Sequence, residues 1–352
     1  MKKEHILVIR FSAMGDVAMA VPVVYSVATQ YPDVRITVLS RAFARPFFED
    51  LAPNVHFMEA DIKGEYRGMK GLNALYRRLA AKQFTKVADL HNVLRSEYLR
   101  LRFNMGRYRV EHINKHRADR RALVSHYNKV RKQLPSSFEN YAEVFAKLGY
   151  PLKEISFRSL FPEKGGNLNL LPAAIGPKKS FQQWIGIAPT AAHQGKEYPL
   201  PLMHEVLRQL TARHPQARIF LFGRGDRECQ LFRQWCEEFP QCLSVGEHTE
   251  NMQQELILMS HLDLMVSMDS ANMHLASLTA TPVVSIWGAT HPYAGFLGWR
   301  QQTSNILQVD NLDCRPCSIY GKKPCRRGDW ACLNAITPDQ VVSKIEALLL
   351  GR

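Results

Sequence analysis

A chain of 352 residues, 46% hydrophobic and 22% charged, has apolar material for two domain cores, which excludes a disordered or fibrous protein. Its 46 Lys and Arg against 32 Asp and Glu leave a net charge of +14, favouring nucleic acid, an acidic membrane face or an acidic substrate without choosing among them. Seven cysteines, an odd number with no secretion signal, argue against a disulfide framework.

The N-terminus, Met1-Lys2-Lys3-Glu4-His5, opens as a signal peptide does, but Arg10 and Asp16 interrupt the apolar stretch and no cleavage site follows. The uncharged segment 17–32 is too short and too polar at its end to span a bilayer. A cytoplasmic protein is expected, peripheral on the inner membrane face at most.

Residues 5–10 read as a buried strand, followed by a loop through 12–16 and a helix to about residue 30. Pro22 either opens that helix or kinks it. Strands at 35–39 and 86–90 come second and third. Residues 161–180, with Pro162, Gly165, Gly166, Pro172, Gly176 and Pro177, have the chemistry of a flexible linker. Beyond it, strands at 184–188, 218–222, 262–267 and 282–286 alternate with helices at 200–213, 226–238, 252–261 and 271–280. The alternation predicts an α/β protein with parallel sheets, in two domains of residues 1–165 and 180–352. Whether the last helix, 338–350, packs back on the first domain is left open. In open sheets of this kind ligands bind beyond the carboxyl ends of the strands, so chemistry is sought in the loops that follow them.

Three such loops stand out. Residues 187–196 leave a strand through small side chains, and there Thr190 offers a hydroxyl and Lys196 a point charge to a phosphate. The spacing is not that of a Walker loop, and a polar loop with one solvated lysine is the plainer alternative. Residues 266–274 end a strand at Met268 and start a helix near Ala271, with Asp269 or Ser270 as natural N-cap. Free N–H groups there form an anion site, and His274 lies one turn in; taken alone, the segment is better explained by an ordinary cap with a satisfied histidine. The third loop holds Asp16, placed either to take a proton from an attacking hydroxyl or to cap the following helix.

Residues 11–16 (Phe-Ser-Ala-Met-Gly-Asp), Asp89-Leu90-His91-Asn92 with Arg95-Ser96, Leu148-Gly149, Lys196 before Tyr198-Pro199, and Ser267-Met268-Asp269-Ser270 with Met273-His274 occur in order along the chain. Together they resemble the glycosyltransferase family 9 heptosyltransferases. The resemblance implies a GT-B fold: two facing Rossmann-like domains with a cleft between them, acceptor on the first and sugar nucleotide on the second. It implies inverting transfer of heptose from ADP-heptose to the inner core of lipopolysaccharide. Asp16 would then be the catalytic base, and Lys196 and Thr190 would hold the diphosphate. Asp269, the backbone of Ser270, Ala271, Asn272 and Met273, and His274 would complete the donor site. The chain departs from that pattern with Ala271 for Gly, Asn272 for an apolar residue and Tyr198 for Trp. The loop 222–226 also lacks the Glu expected to meet the donor. No Asp-x-Asp triplet occurs, Glu59-Ala60-Asp61 being a near miss, so a site without metal or cofactor is expected.

From Arg95 to Lys132, twelve basic residues face three acidic ones, a local net of +9. A solvated helical face is the usual meaning of such a run. In the expected first domain, Arg95, Arg117, Arg120 and Arg121 are candidates to grip an acidic, phosphorylated acceptor. Cys314-Arg315-Pro316-Cys317 with Cys325 and Cys332 has the look of a four-thiolate zinc knuckle lacking its second CxxC; a reduced, packed loop fits as well. A basic nucleic-acid-binding protein is the competing reading, with Tyr98, Phe103, Tyr108 and Tyr127 available for stacking. It gives no use to phosphate loops in two α/β domains. An NAD-dependent oxidoreductase fails on the missing Gly-x-Gly-x-x-Gly after the first strand.

Overall fold

The computed structural model describes residues 4–351; Met1, Lys2 and Lys3 of the N-terminal reading lie outside them. The chain divides into two compact units, Met1–Lys115 with Pro135–Leu160, and His116–Leu134 with Phe161–Arg352.

The first unit is built on five parallel strands: β1 (His5–Ile9), β2 (Arg35–Ser40), β3 (Val55–Glu59), β4 (Lys86–Asp89) and β5 (Arg109–His112), in the order β3-β2-β1-β4-β5. All five residues of β1 are buried, because it pairs on both edges, with Ile6 opposite Ile36 on one side and Lys86 on the other. That is why its sequence is a continuous apolar run. The segment 86–90, expected as third strand, is the fourth. Val55–Glu59 precedes it as an edge strand with only two of its five residues buried, so it carries no such run. Helices Gly68–Ala80 and Leu94–Met105 pack side by side on the sheet. Leu75, Leu79, Leu99 and Phe103 meet Leu7 and Ile9 in one core, each buried side chain stabilising by about 1.5–3 kcal/mol.

The helix expected from the 12–16 loop to residue 30 is two helices, Met14–Ala18 and Val21–Gln30. Pro22 falls in the first turn of the second, where its missing N–H leaves no hydrogen bond unmade. It opens a helix. Val21–Gln30 packs against Ser137–Lys147, whose start is fixed reciprocally: Glu139 N–H donates to Ser136 Oγ, and Ser136 N–H to Glu139 Oε2.

The second unit holds six parallel strands: β6 (Trp184–Ala188), β7 (Arg218–Leu221), β8 (Cys242–Ser244), β9 (Leu264–Met268), β10 (Val283–Trp287) and β11 (Ile306–Gln308), in the order β11-β10-β9-β6-β7-β8. Both sheets are doubly wound. Strand order reverses between β1 and β4 in the first and between β6 and β9 in the second, the two places where such sheets bind ligands.

Residues 161–180 are held along the second unit. The Lys178 ammonium pairs with Asp263 at 2.8 Å, and the Gly166 N–H donates to Ser260 Oγ. The last helix, Pro338–Leu350, packs against Leu200–Arg213 of the same unit, with Val341, Val342 and Ile345 in its core. The segment His116–Leu134 clusters with this unit as well. Lys129 Nζ donates to the carbonyls of Cys314 and Pro316, and Arg131 to those of Leu312 and Asp313. Among the described residues, no helix is long and apolar enough to cross a membrane.

Candidate active site

In the second unit the reversal point brings together two of the three loops. After β6 the chain makes a 3-10 turn, Gln194–Lys196. After β9 it passes Asp269 and Ser270 into the helix Ala271–Leu278. Because β6 and β9 are neighbours, Lys196 Nζ lies 2.8 Å from Asp269 Oδ2. The side chains are 16% and 3% exposed, so the pair is largely removed from water and poorly screened. Lys196 is further fixed through its stem. Gly195 and Gly321 let two loops approach so closely that a Cβ on Gly195 would sit 2.7 Å from the Gly321 carbonyl oxygen, and one on Gly321, at φ +73°, would sit 2.6 Å from Lys196 Cγ.

Ser270 is the N-cap, but its hydroxyl does not cap. It lies 3.2 Å from Ser267 Oγ and accepts from no N–H of the first turn of the helix. Free N–H groups and the helix dipole at that turn favour an anion. Ala271 and Asn272 are half-buried there, whereas Met273 and His274 are buried, so Met273 can offer a ligand only its backbone.

Thr190 is placed differently from the sequence expectation of a phosphate donor. Its hydroxyl donates to Glu228 Oε1, so in this conformation its one proton is already used. Glu228 also accepts from the N–H groups of Arg224 and Gly225, capping the helix Asp226–Glu238. This carboxylate, absent from the loop 222–226, stands two residues further on. A Glu at the third helical position, able to reach back to the N-cap N–H, is the signal that could have found it.

In the first unit, the β1–β4 reversal point gathers Arg10, Ser12, Asp16 and His91. Asp16 sits in the first turn of Met14–Ala18, where its Oδ2 accepts from the Ala13 N–H at 3.2 Å and pairs with Arg10 at 2.7 Å. Of the two open sequence readings the cap contact is therefore present, and the same carboxylate is paired with a buried guanidinium. Burial opposes the Arg10 charge, but Asp16, Tyr141 and Asp89 together outweigh it, leaving the guanidinium pKa raised. Tyr141 Oη donates to the Asp16 carbonyl. His91 Nε2 lies 3.4 Å from Ser12 Oγ, and burial, with the Arg10 charge behind it, pushes its pKa down to about 3. Asp89, fully buried, accepts from the N–H groups of His91 and Asn92 and so fixes the loop after β4.

The four candidate acceptor arginines fall in different units. Arg95 is exposed in the first turn of Leu94–Met105 in the first unit. Arg117, Arg120 and Arg121 lie on the helix Arg117–Leu123, grouped with the second. Arg117 and Arg121 are exposed; Arg120 donates to Tyr320 Oη at 3.0 Å and lies over the Phe296 ring. Cys314, Cys317, Cys325 and Cys332 are free thiols lining one small pocket beside Trp330. Among the described residues, no group of three His, Cys, Asp or Glu is arranged to hold a metal.

The chain is 22% identical to the Haemophilus influenzae lipopolysaccharide core heptosyltransferase OpsX, covering 93% of this chain and 90% of that one. It is 25% identical to the Escherichia coli lipopolysaccharide heptosyltransferase 3, over 95% and 96%. Among solved structures, the glycosyl transferase family 9 protein of Veillonella parvula superposes with a TM-score of 0.76 at 18% identity, covering 100% and 99% of the two chains. The E. coli ADP-heptose lipopolysaccharide heptosyltransferase II gives 0.69 at 20% identity, with 99% of each covered. These two likenesses identify the fold as GT-B. Nothing in the comparisons supports the nucleic-acid-binding alternative. Residues 72–327, which take in the Lys196–Asp269 pair though not Asp16, match glycosyltransferase family 9 (heptosyltransferase). The chain belongs to that family.

Proposed function

We propose that this protein transfers heptose from ADP-heptose to the inner core of lipopolysaccharide, with inversion at the anomeric carbon. The observation that carries the reading is the Lys196–Asp269 pair beside the uncapped start of the helix Ala271–Leu278. A cation and a set of free N–H groups converge there as a leaving diphosphate requires. Asp269 positions the lysine, and Lys196 meets the phosphates. Its family membership and its likeness to lipopolysaccharide heptosyltransferases over the whole chain support the substrate class.

In the reaction, a hydroxyl oxygen of the acceptor attacks the anomeric carbon through an oxocarbenium-like state. The bond from that carbon to the diphosphate oxygen breaks, and ADP leaves with the electron pair. The acceptor proton passes to Asp16. Charge growing on the diphosphate is stabilised by Lys196 and the backbone N–H groups of the helix start. Thr190 and Glu228 line the donor side, and His274 completes it. Arg95, Arg117, Arg120 and Arg121 are the groups proposed to hold the acidic core. The protein works at the inner face of the membrane, where its acceptor is anchored.

Thermal unfolding with ADP, UDP and GDP tests this. ADP should stabilise more than the other two, and the increment should fall in Asp269→Asn, whose lysine is no longer held. A chain indifferent to all three nucleotides would overturn the reading.

A further inference from the structure

The helix Leu94–Met105 is apolar on two faces. Its inner face buries Ser96, Leu99 and Phe103. On the outside, Leu94, Leu101 and Met105 are 85%, 57% and 73% exposed. They stand seven and eleven residues beyond the first, spacings that return to one face at 3.6 residues per turn. Tyr98, half-buried, fills the turn between them. Met69, also exposed, opens the helix packed alongside. A surface helix that only covers a core carries polar residues on that outer stripe. Here three large apolar side chains face solvent together.

The flank of the stripe is basic. The exposed Arg95 follows Leu94 by one residue, about 100° round the helix, and the exposed Arg107 lies just past its end, while Arg102, in the same relation to Leu101, is held by Asn73 Oδ1 at 2.6 Å and lies over the Tyr76 ring. Glu97 is the one acid on the helix. An apolar stripe bordered by arginines matches an anionic bilayer, in which apolar tips enter the acyl boundary and guanidinium groups meet headgroup phosphates. Leu94 also follows β4 by only five positions, at the carboxyl edge of the sheet, where the loop carrying His91 enters the helix.

We infer that the outer face of Leu94–Met105 is a membrane-docking surface, which lays the carboxyl edge of the first unit's sheet on an anionic phospholipid leaflet. The inference rests on the transferase reading for its purpose, since a lipid-anchored acceptor has to be met at a bilayer. The contact itself is independent of catalysis.

The full chain is sedimented with vesicles of phosphatidylethanolamine and phosphatidylglycerol, and separately with phosphatidylcholine vesicles. It should pellet with the anionic vesicles at low salt and leave them at high salt. The variant L94S/L101S/M105S should partition at least about tenfold more weakly. Its Tm should match that of the wild type, because these side chains already stand in water. Equal binding to both vesicle types, or a partition that the triple variant leaves unchanged, overturns the inference. So does gel filtration showing a dimer that the variant dissolves, which would give the face to a second copy of the chain. On acceptor freed of its lipid the variant should turn over as the wild type does, and on vesicle-embedded acceptor more slowly. Equal slowing on both also counts against docking. Sedimentation needs no activity, so failure of docking and failure of the transferase reading give different results.

Discussion

Asp16 spends a single carboxylate oxygen on two partners, the Arg10 guanidinium and the Ala13 N–H. Removing its charge therefore has a structural consequence as well as a chemical one. In Asp16→Asn, Arg10, with a side chain only 7% exposed, loses its counter-ion, and stability should fall by about 1–3 kcal/mol. ADP affinity should hold, while the transfer rate falls about a hundredfold or more, as for loss of a general base. Lost activity alone would not separate the two consequences. Arg10→Met does, because it breaks the same pair and keeps the carboxylate. If it slows transfer as much as Asp16→Asn does, Asp16 acts through its ion pair and is not the base. Neither this pair nor Thr190 with Glu228 was legible in the sequence. Arg10 and Asp16 meet only because a helix folds back over the end of β1, and Thr190 reaches across 38 residues through the pairing of β6 with β7. Residue types at strand ends announce a site; their partners are set by strand order.

Among elements, one tight junction lies between the Gln194–Lys196 turn and the loop carrying Gly321. Gly195→Ala would drive a Cβ against a backbone oxygen, which unlike a side-chain end has no rotamer to escape into. The loops should part, costing about 1–3 kcal/mol and moving Lys196 off Asp269. Urea unfolding and ADP titration on one sample check both. A variant as stable as the parent with unchanged affinity would show that the approach is looser than it looks. Elements were unevenly legible for a related reason. Central strands β1, β6, β9 and β10 are covered on both faces and read as apolar runs. Edge strands β3, β5, β8 and β11 were missed. β5, Arg-Val-Glu-His, has no buried residue, and β11 is three part-exposed residues long. Pairing on one side only asks little of composition. Likewise Leu94–Met105 read only as part of a basic stretch, because apolar residues on both its faces blur the helical period.

At the scale of the whole molecule, acid should unfold this protein well before its carboxylates titrate. In the first unit, burial pushes His5 down to about 4, helped by the charge of Arg35, and His91 to about 3. In the second, burial and then Arg315 push His291 down to about 4. Each is neutral when folded, whereas the unfolded chain takes the proton near the ordinary value of 6.5. The unfolded state thus binds more protons between these limits, and stability falls as pH drops through 6.5 and keeps falling until the folded groups themselves titrate near 4. Each histidine contributes on the order of 1 kcal/mol per pH unit across that window. The net charge of +14 adds self-repulsion in the same direction as further protons arrive. Urea midpoints measured from pH 7.5 down to 5 should therefore decline steadily, with the steepest loss below 6.5. NMR titration should show His91 still neutral at pH 5. A flat midpoint over that range, or an imidazole at position 91 that charges near 6.5, would mean that water reaches the β1–β4 reversal point. Arg10 and Asp16 would then be exchanging with solvent there rather than holding one geometry.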